Sequence, residues 1–300
     1  MFNALRFFSL VLAISALPAQ AALKIFATVP EWGALATELG GQTVNVYLAT
    51  GPLQDPHHVE AKPSLIARAR SADLVVATGA ELEIGWLPLV LQQAGNPAVQ
   101  PGKPGYFEAA QSVPLLEVPG KLDRAEGDVH AAGNPHIQMD PHNIARVAEA
   151  LSRRMAELDS ANAAAYQTRY QSFAGRWNEA MAHWEKEGQP LKGVEVLVHH
   201  RAFSYLEHWL GIKEVAALEP KPGLEPTSSH LAEVLELTQR QPVKMVIRSA
   251  YLDPRADEWI AARAKIPIVV LPFTVGGTDG AKDLFSFFED TVQRLLAALK

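Results

Sequence analysis

The sequence predicts an α/β fold of two lobes, each with a mostly parallel sheet flanked by helices, joined by a long rigid interdomain helix. Three observations predict it. Short β-rich runs alternate with helical segments in both halves of the chain, which implies parallel strand pairing and right-handed crossovers. The middle, from Pro141 to about Glu187, is helix-forming almost throughout. A length of 300 residues suggests about two domains.

Each element has a local reason. Lys24 to Val29 is a short β-rich run, and Pro30 opens a helix that Gly40 and Gly41 close. Thr43 to Leu48 alternates as a strand, and the loop from Ala49 to Lys62 leads to a helix from Pro63 to Arg70. Asp73 to Ala77 reads as a buried strand. Gly95 to Gly133 is rich in Pro, Gly and charge, with Val113 to Val118 as a candidate strand. The helical middle breaks near Asp159-Ser160, where Ser160 can cap a second helix. In that helix Tyr166, Tyr170, Phe173 and Trp177 share one face, a stripe that reads as core.

The second half returns to strand and helix. Glu195 to Val198 is a strand, and Phe203 to Leu210 a helix closed by Gly211. Ser228 or Ser229 caps a helix to about Gln239, and Val243 to Arg248 is a strand. Asp253-Pro254 opens another helix, Ile266 to Phe273 is a strand, and a last helix runs from about Ala281 to Leu299. The expected organisation is a targeting segment at 1–21, a first lobe at 22–158, a linker helix at 159–188 and a second lobe at 189–300.

The N-terminus carries an export signal. Arg6 supplies the positive charge, Phe7 to Leu17 an apolar run, and Ala19-Gln20-Ala21 a small-x-small cleavage site. The run is shorter than the roughly 20 residues a membrane span needs. With no Cys in the sequence, a lipid anchor on a cysteine is not expected, and the mature protein should be a periplasmic monomer. Disulfides are likewise excluded, so packing alone must hold the fold. At 48% hydrophobic, a chain this long can bury roughly 75% of its unfolded surface. A net charge of −6 argues against nucleic acid or an anionic membrane as partner.

Three histidines stand out. His57 lies in Asp55-Pro56-His57-His58, His136 in Asn134-Pro135-His136, and His200 in Val198-His199-His200-Arg201-Ala202-Phe203. Singly, each would read as an ordinary loop histidine. His57, His200 and Asp279 all follow predicted strands, and ligands of open parallel sheets bind beyond the carboxyl ends of the strands. Two lobes facing each other would place that edge in the cleft. Three imidazoles and one carboxylate make a tetrahedral site suited to Zn²⁺, whereas Mn²⁺ takes more oxygen ligands. Adjacent residues at a strand end point to opposite sides, so only one histidine of each doublet should face the ion.

These motifs, in this order, resemble the solute-binding receptors of zinc and manganese ABC importers (cluster A-I, the high-affinity zinc-uptake type). Asp55-Pro56-His57 with Glu60 and Pro63-Ser64 is similar to the family's first ligand loop. Gly79-Ala80-Glu81-Leu82-Glu83 with Trp86-Leu87 is similar to its G-x-x-L-E-x-W-L segment. Asn134-Pro135-His136 with Asp140-Pro141 and Asn143 resembles the second ligand loop, and Tyr166 through Phe173 the interdomain helix. His200-x-Ala202-Phe203-x-Tyr205 resembles the third ligand segment. The resemblance covers essentially the whole mature chain and implies His57, His136 and His200 as metal ligands, with Asp279 as the fourth and Asp283 as runner-up. His58 and His199 are the alternatives within the doublets. Two departures stand in the second loop: Asn134 where the family usually has Asp, and Gln138 where it has an aromatic. The stretch from Lys121 to Gly133 is short and poor in histidine where zinc-specific members carry a long His-rich loop, and reads as a flexible solvated loop.

What the resemblance implies is capture of Zn²⁺ (alternatively Mn²⁺) and its delivery to a cognate ABC permease in the inner membrane, with room for a periplasmic metallochaperone as a further partner. The competing reading is a zinc-dependent exported hydrolase, with Glu60 the only nearby acid to serve as base. No His-Glu-x-x-His, Gly-x-Ser-x-Gly or phosphate-loop motif supports it. An adhesin would need an anchored, exposed protein, which the missing cysteine disfavours.

Overall fold

Strands that carry only apolar residues belong in the middle of a sheet covered on both faces, and Leu74–Ala77 is such a strand, buried at every position. The structure, a computed structural model, describes residues 21–120 and 130–300. The export signal and most of the Lys121 to Gly133 stretch therefore lie outside the described residues. In the first lobe β1 (Leu23–Ala27), β2 (Val44–Leu48), β3 (Leu74–Ala77) and β4 (Tyr106–Glu108) form one sheet in the order β2-β1-β3-β4. In the second, β5 (Glu195–Val198), β6 (Lys213–Ala217), β7 (Met245–Ser249) and β8 (Ile268–Leu271) form a sheet in the order β6-β5-β7-β8. Every pair is parallel. The two lobes thus repeat one topology, and in each the chain reverses direction across the sheet beside its first strand, the kind of place where α/β sheets bind ligands.

The helices are α1 (Pro30–Gly40), α2 (Pro63–Arg70), α3 (Leu87–Ala94), α4 (Pro141–Leu158), α5 (Ala163–Glu187), α6 (Ser204–Leu210), α7 (Ser228–Arg240), α8 (Arg255–Ala264) and α9 (Leu284–Ala297). Their ends follow the sequence. Pro stands in the first turn of α1, α2, α3 and α4, where a missing N–H is harmless. Gly95 and Gly211 end α3 and α6 in the left-handed conformation, which glycine adopts without strain. Asp140 caps α4 by accepting from the His142 backbone N–H.

Three buried clusters hold these elements. One lies under α2 and α3 on the outer face of the first sheet, and one under α7 and α8 on the outer face of the second. The third is shared: it runs from Leu23 and Trp32 in the first lobe through Phe173, Trp177 and Trp184 on α5 to Phe287 and Phe288 on α9 and Val196 in β5. The stripe on α5 is therefore core. Phe173 stacks on Trp177 with centroids 5.1 Å apart, and Trp184 stacks on Phe288 at 5.2 Å. Such pairs add about 0.5–1.5 kcal/mol each beyond their buried area. With 25 residues, α5 is roughly 37 Å long at about 1.5 Å per residue. It packs on α1 and α4 on one side and on α9 on the other.

Some expectations are corrected. Val113 to Val118 is not a strand; the fourth strand of the first sheet is Tyr106–Glu108. Pro114 cannot donate to a ladder, and three residues are too few to show a period. The edge strand Lys213–Ala217 was not anticipated, since Lys, Glu and Ala are poor β-formers. Ser160 opens a 3₁₀ turn instead of capping α5, and Thr227, not Ser228 or Ser229, caps α7.

The lobes are also joined by a buried polar contact. Thr274, just after β8, donates its hydroxyl hydrogen to the Glu31 carboxylate on α1. Burial pushes the Glu31 carboxyl from about 4.5 up to about 7, opposed by the Thr274 hydrogen bond, with the Glu83 charge a smaller push in the same direction. The folded protein therefore holds this proton more tightly than the unfolded chain. The stability it contributes is full below about pH 4.5 and is lost as pH rises through about 7. Glu31→Gln cannot titrate, so urea unfolding should find the variant gaining on the parent between about pH 5 and about pH 8, by up to about 3 kcal/mol. A stability difference that is the same at both pH values would refute this.

Candidate metal centre

The first histidine is placed by a turn that its own neighbours build. Asp55 accepts from both the backbone N–H and Nδ1 of His57 at 2.9 Å, and Trp86 Nε1 donates to the Pro56 carbonyl at 2.9 Å. Trp86 is set in turn by the segment before it, where Ala80 and Glu81 both have left-handed backbones (φ 48° and 68°). Glu83 makes that turn tenable. It is buried and accepts from Thr28 Oγ1 at 2.7 Å, Thr78 N at 2.8 Å and Gly79 N at 3.1 Å. The Gly-x-x-Leu-Glu-x-x-Trp-Leu segment is thus a brace under the His57 loop.

His136 sits in the loop before α4, its backbone N–H bonded to Asn134 Oδ1 at 2.9 Å. The two departures noted in this loop reach across to the second lobe. Asn134 Nδ2 donates to the Arg201 carbonyl at 3.0 Å and to Glu117 Oε2 at 2.9 Å, which an Asp carboxylate could not do. Gln138 Nε2 donates to the Phe273 carbonyl at 3.2 Å. Tyr205 adds a third tie, its hydroxyl donating to the Asn134 carbonyl at 2.8 Å. His200 follows β5, and its Nδ1 meets Glu219 Oε2 at 2.7 Å.

These loops bring His57, His136 and His200 together, with one donor nitrogen from each within 4.8 Å of the others. Ring centroids are 5.2 Å apart for His57 and His136, 5.6 Å for His136 and His200, and 6.0 Å for His57 and His200. His57 Nε2 and His136 Nδ1 are buried without a hydrogen-bond partner, a costly state for a polar atom unless something fills it. Burial, followed by the neighbouring charges of His57, His200 and His130, holds the His136 pKa well below 6.5, so its ring is neutral, as a metal ligand must be. Behind two of the rings stand carboxylates, Asp55 on His57 and Glu219 on His200, an arrangement that fixes the tautomer and leaves Nε2 for an ion. Burial works against ionisation of Asp55, but hydrogen bonds and charge from His57, with His58 adding less, prevail and hold its pKa well below the usual range.

The doublets separate as strand geometry requires. His58 is exposed, 73% by side chain, and shares Asp55 at 3.2 Å. His199 points into the second lobe, its Nδ1 bonded at 2.7 Å to Asp257, which is wholly buried on α8. The structure does not bring Asp279 to the three histidines. It is exposed in a turn closed by Gly277 N to Thr274 O at 3.0 Å and Ala281 N to Thr278 O at 3.1 Å, the backbone setting for which Asp is favoured. Asp283, the runner-up, is committed to a capping box with Ser286 at the start of α9. Glu60 is exposed and outside the group.

His130 was not anticipated as part of the centre. Its ring lies 5.5 Å from that of His57, and Ala131 N is held by Glu81 Oε2 at 2.6 Å. Its only signal in the sequence is a histidine six residues before His136. A cavity of about 250 Å³ beside the centre is lined by Asp55, His57, His58, His200, Glu219 and Tyr251, among others. A larger groove of about 580 Å³ near His142 and Trp209 lies elsewhere, and its His142 is paired with Asp140 and Glu185. If Glu219 orients His200, Glu219→Gln should weaken Zn²⁺ binding about 10- to 100-fold with the fold intact, as read by competition against a chelator. Unchanged affinity would show that the carboxylate does not support the ligand.

Comparison with known proteins agrees with this architecture. The family described as zinc-uptake complex component A, periplasmic, matches residues 25–298. The zinc-binding lipoprotein AdcA of Streptococcus pneumoniae is 25% identical over 235 residues, 75% of this chain but 44% of that protein, so the chain spans under half the length of that relative. The manganese ABC transporter substrate-binding lipoprotein PsaA of Streptococcus mitis is 20% identical over 275 residues, 89% of this chain and 84% of that one. A crystal structure of ZnuA superposes with a TM-score of 0.78 at 22% identity, covering 93% of this chain and all of that one, which shows the fold. With nearly all of its length matched, the chain belongs to the family described as zinc-uptake complex component A, periplasmic.

Proposed function

We propose that the protein is a periplasmic receptor that captures Zn²⁺ in the cleft between its lobes and delivers it to an ABC permease. The single observation that carries this reading is the group of His57, His136 and His200, in which His57 Nε2 and His136 Nδ1 are buried without a partner. Three imidazoles are a nitrogen-rich set that suits Zn²⁺ better than Mn²⁺. The names of the relatives span both metals, and the donor set supports zinc. The fourth position is left to water or to His130, and Asp279 stays in its turn.

A hydrolase would need a base beside a metal-bound water. Glu60 is exposed and apart, Asp55 and Glu219 are occupied by the histidines they orient, and the relatives are named as zinc-binding and substrate-binding lipoproteins. These observations support a carrier over a catalyst.

Metal-free protein dialysed against Zn²⁺ or Mn²⁺ should bind one Zn²⁺ tightly. His57→Ala, His136→Ala and His200→Ala should each weaken it by more than the roughly 100-fold that a lost supporting hydrogen bond costs. Tight binding indifferent to these three residues, or a preference for Mn²⁺, would overturn the reading. Asp279→Ala should leave affinity within about twofold, because turn chemistry alone explains the residue; a large loss would return it to the coordination sphere.

A further inference from the structure

Away from the cleft, α5 and α9 assemble a second set of donor atoms. His183 and Glu187 stand four residues apart on α5 and so share one face, and Glu289 meets them from α9. His183 Nε2 lies 3.6 Å from Glu187 Oε2 and 3.8 Å from Glu289 Oε2. One donor atom from each of the three lies within 4.8 Å of the other two. A protonated histidine bonded to a carboxylate would close to about 2.7–2.9 Å, so these are not hydrogen bonds. They approach the donor–donor spacing around a tetrahedral Zn²⁺, about 3.3 Å for bonds of roughly 2.0 Å.

The surroundings hold the two carboxylates ready. Trp184 Nε1 donates to Glu289 Oε2 at 2.9 Å. Gln293 Nε2 donates to Glu187 Oε2 at 2.7 Å and to Glu289 Oε1 at 3.1 Å. Uncharged donors thus keep two like charges face to face, and among the described residues the only ion-pair partner of either is His183. A divalent cation held between the three side chains would offset the two carboxylate charges more fully than His183 can. Side-chain exposures of 54% for His183, 34% for Glu187 and 43% for Glu289 leave room for water to complete the coordination.

We propose that His183, Glu187 and Glu289 form a second divalent-metal site, with Zn²⁺ the best fit to one imidazole and two carboxylates. It is weaker than the three-histidine centre, because it is exposed and has fewer nitrogen donors. Its effect is to tie the central helix to the last helix of the second lobe when metal is plentiful.

The test is equilibrium dialysis of the untagged protein against Zn²⁺ alone, with thermal unfolding followed alongside. The parent should bind a second equivalent at least about tenfold more weakly than the first, and its unfolding temperature should rise as that equivalent loads. His183→Ala and Glu289→Gln should each lose the second equivalent and keep the first, which also shows that they fold. His200→Ala should keep the second and lose the tight one, so failure of this site and failure of the cleft reading are separable. A parent that stops at one equivalent, or a second equivalent that survives both His183→Ala and Glu289→Gln, would overturn the proposal.

Discussion

The structure depends on a hydrophobic core that the two lobes share. The cluster that runs from β1 and α1 through α5 to α9 and β5 is continuous, and its centre is an aromatic stack on α5 against Phe285 and Phe288. Opening the lobes like a hinge would expose that seam, and apolar area costs about 25 cal/mol per Å² when returned to water. The distance between the loops that carry His57 and His200 is therefore set by packing well away from them. Metal chemistry needs donors placed to a few tenths of an ångström, and a shared core supplies such placement more firmly than two cores on a flexible linker.

That constraint explains how two buried imidazoles and one partly buried one are tolerated. Burying polar nitrogens without partners is unfavourable, and the cost is held by the same core that fixes the loops. Carboxylates behind His57 and His200 lower part of it by engaging one nitrogen of each ring. His57 Nε2 and His136 Nδ1 remain unpartnered where a ligand would be received. Strain follows the same pattern: the left-handed pair Ala80 and Glu81 lies in the brace under the His57 loop.

Much of this was legible in the sequence. Alternation of strand and helix, the helical middle and the aromatic stripe on α5 each follow from local chemistry, and the fold follows from them. The three histidines were visible because each stands next to a proline or at a strand end. The edge strand β6 was not legible, since its Lys, Glu and Ala lack a β signal, nor was the short β4. Asp279 is exposed in a turn and lies outside the three-histidine group, and a carboxylate after a strand and a carboxylate in a turn look alike in sequence. His130 and Glu219 were hidden for the opposite reason: their roles arise only from contacts across the fold, at 19 residues of separation for Glu219 and His200.

Asn134 carries one last implication. Its amide nitrogen serves the Glu117 carboxylate and the Arg201 carbonyl together, while Ser204 donates to the other oxygen of Glu117 at 2.9 Å. An aspartate there would set two negative charges against each other in a half-buried space. Positions 117 and 134 are thus chemically coupled: the amide that ties the second ligand loop to the other lobe works only because the residue it meets at 117 is an acceptor.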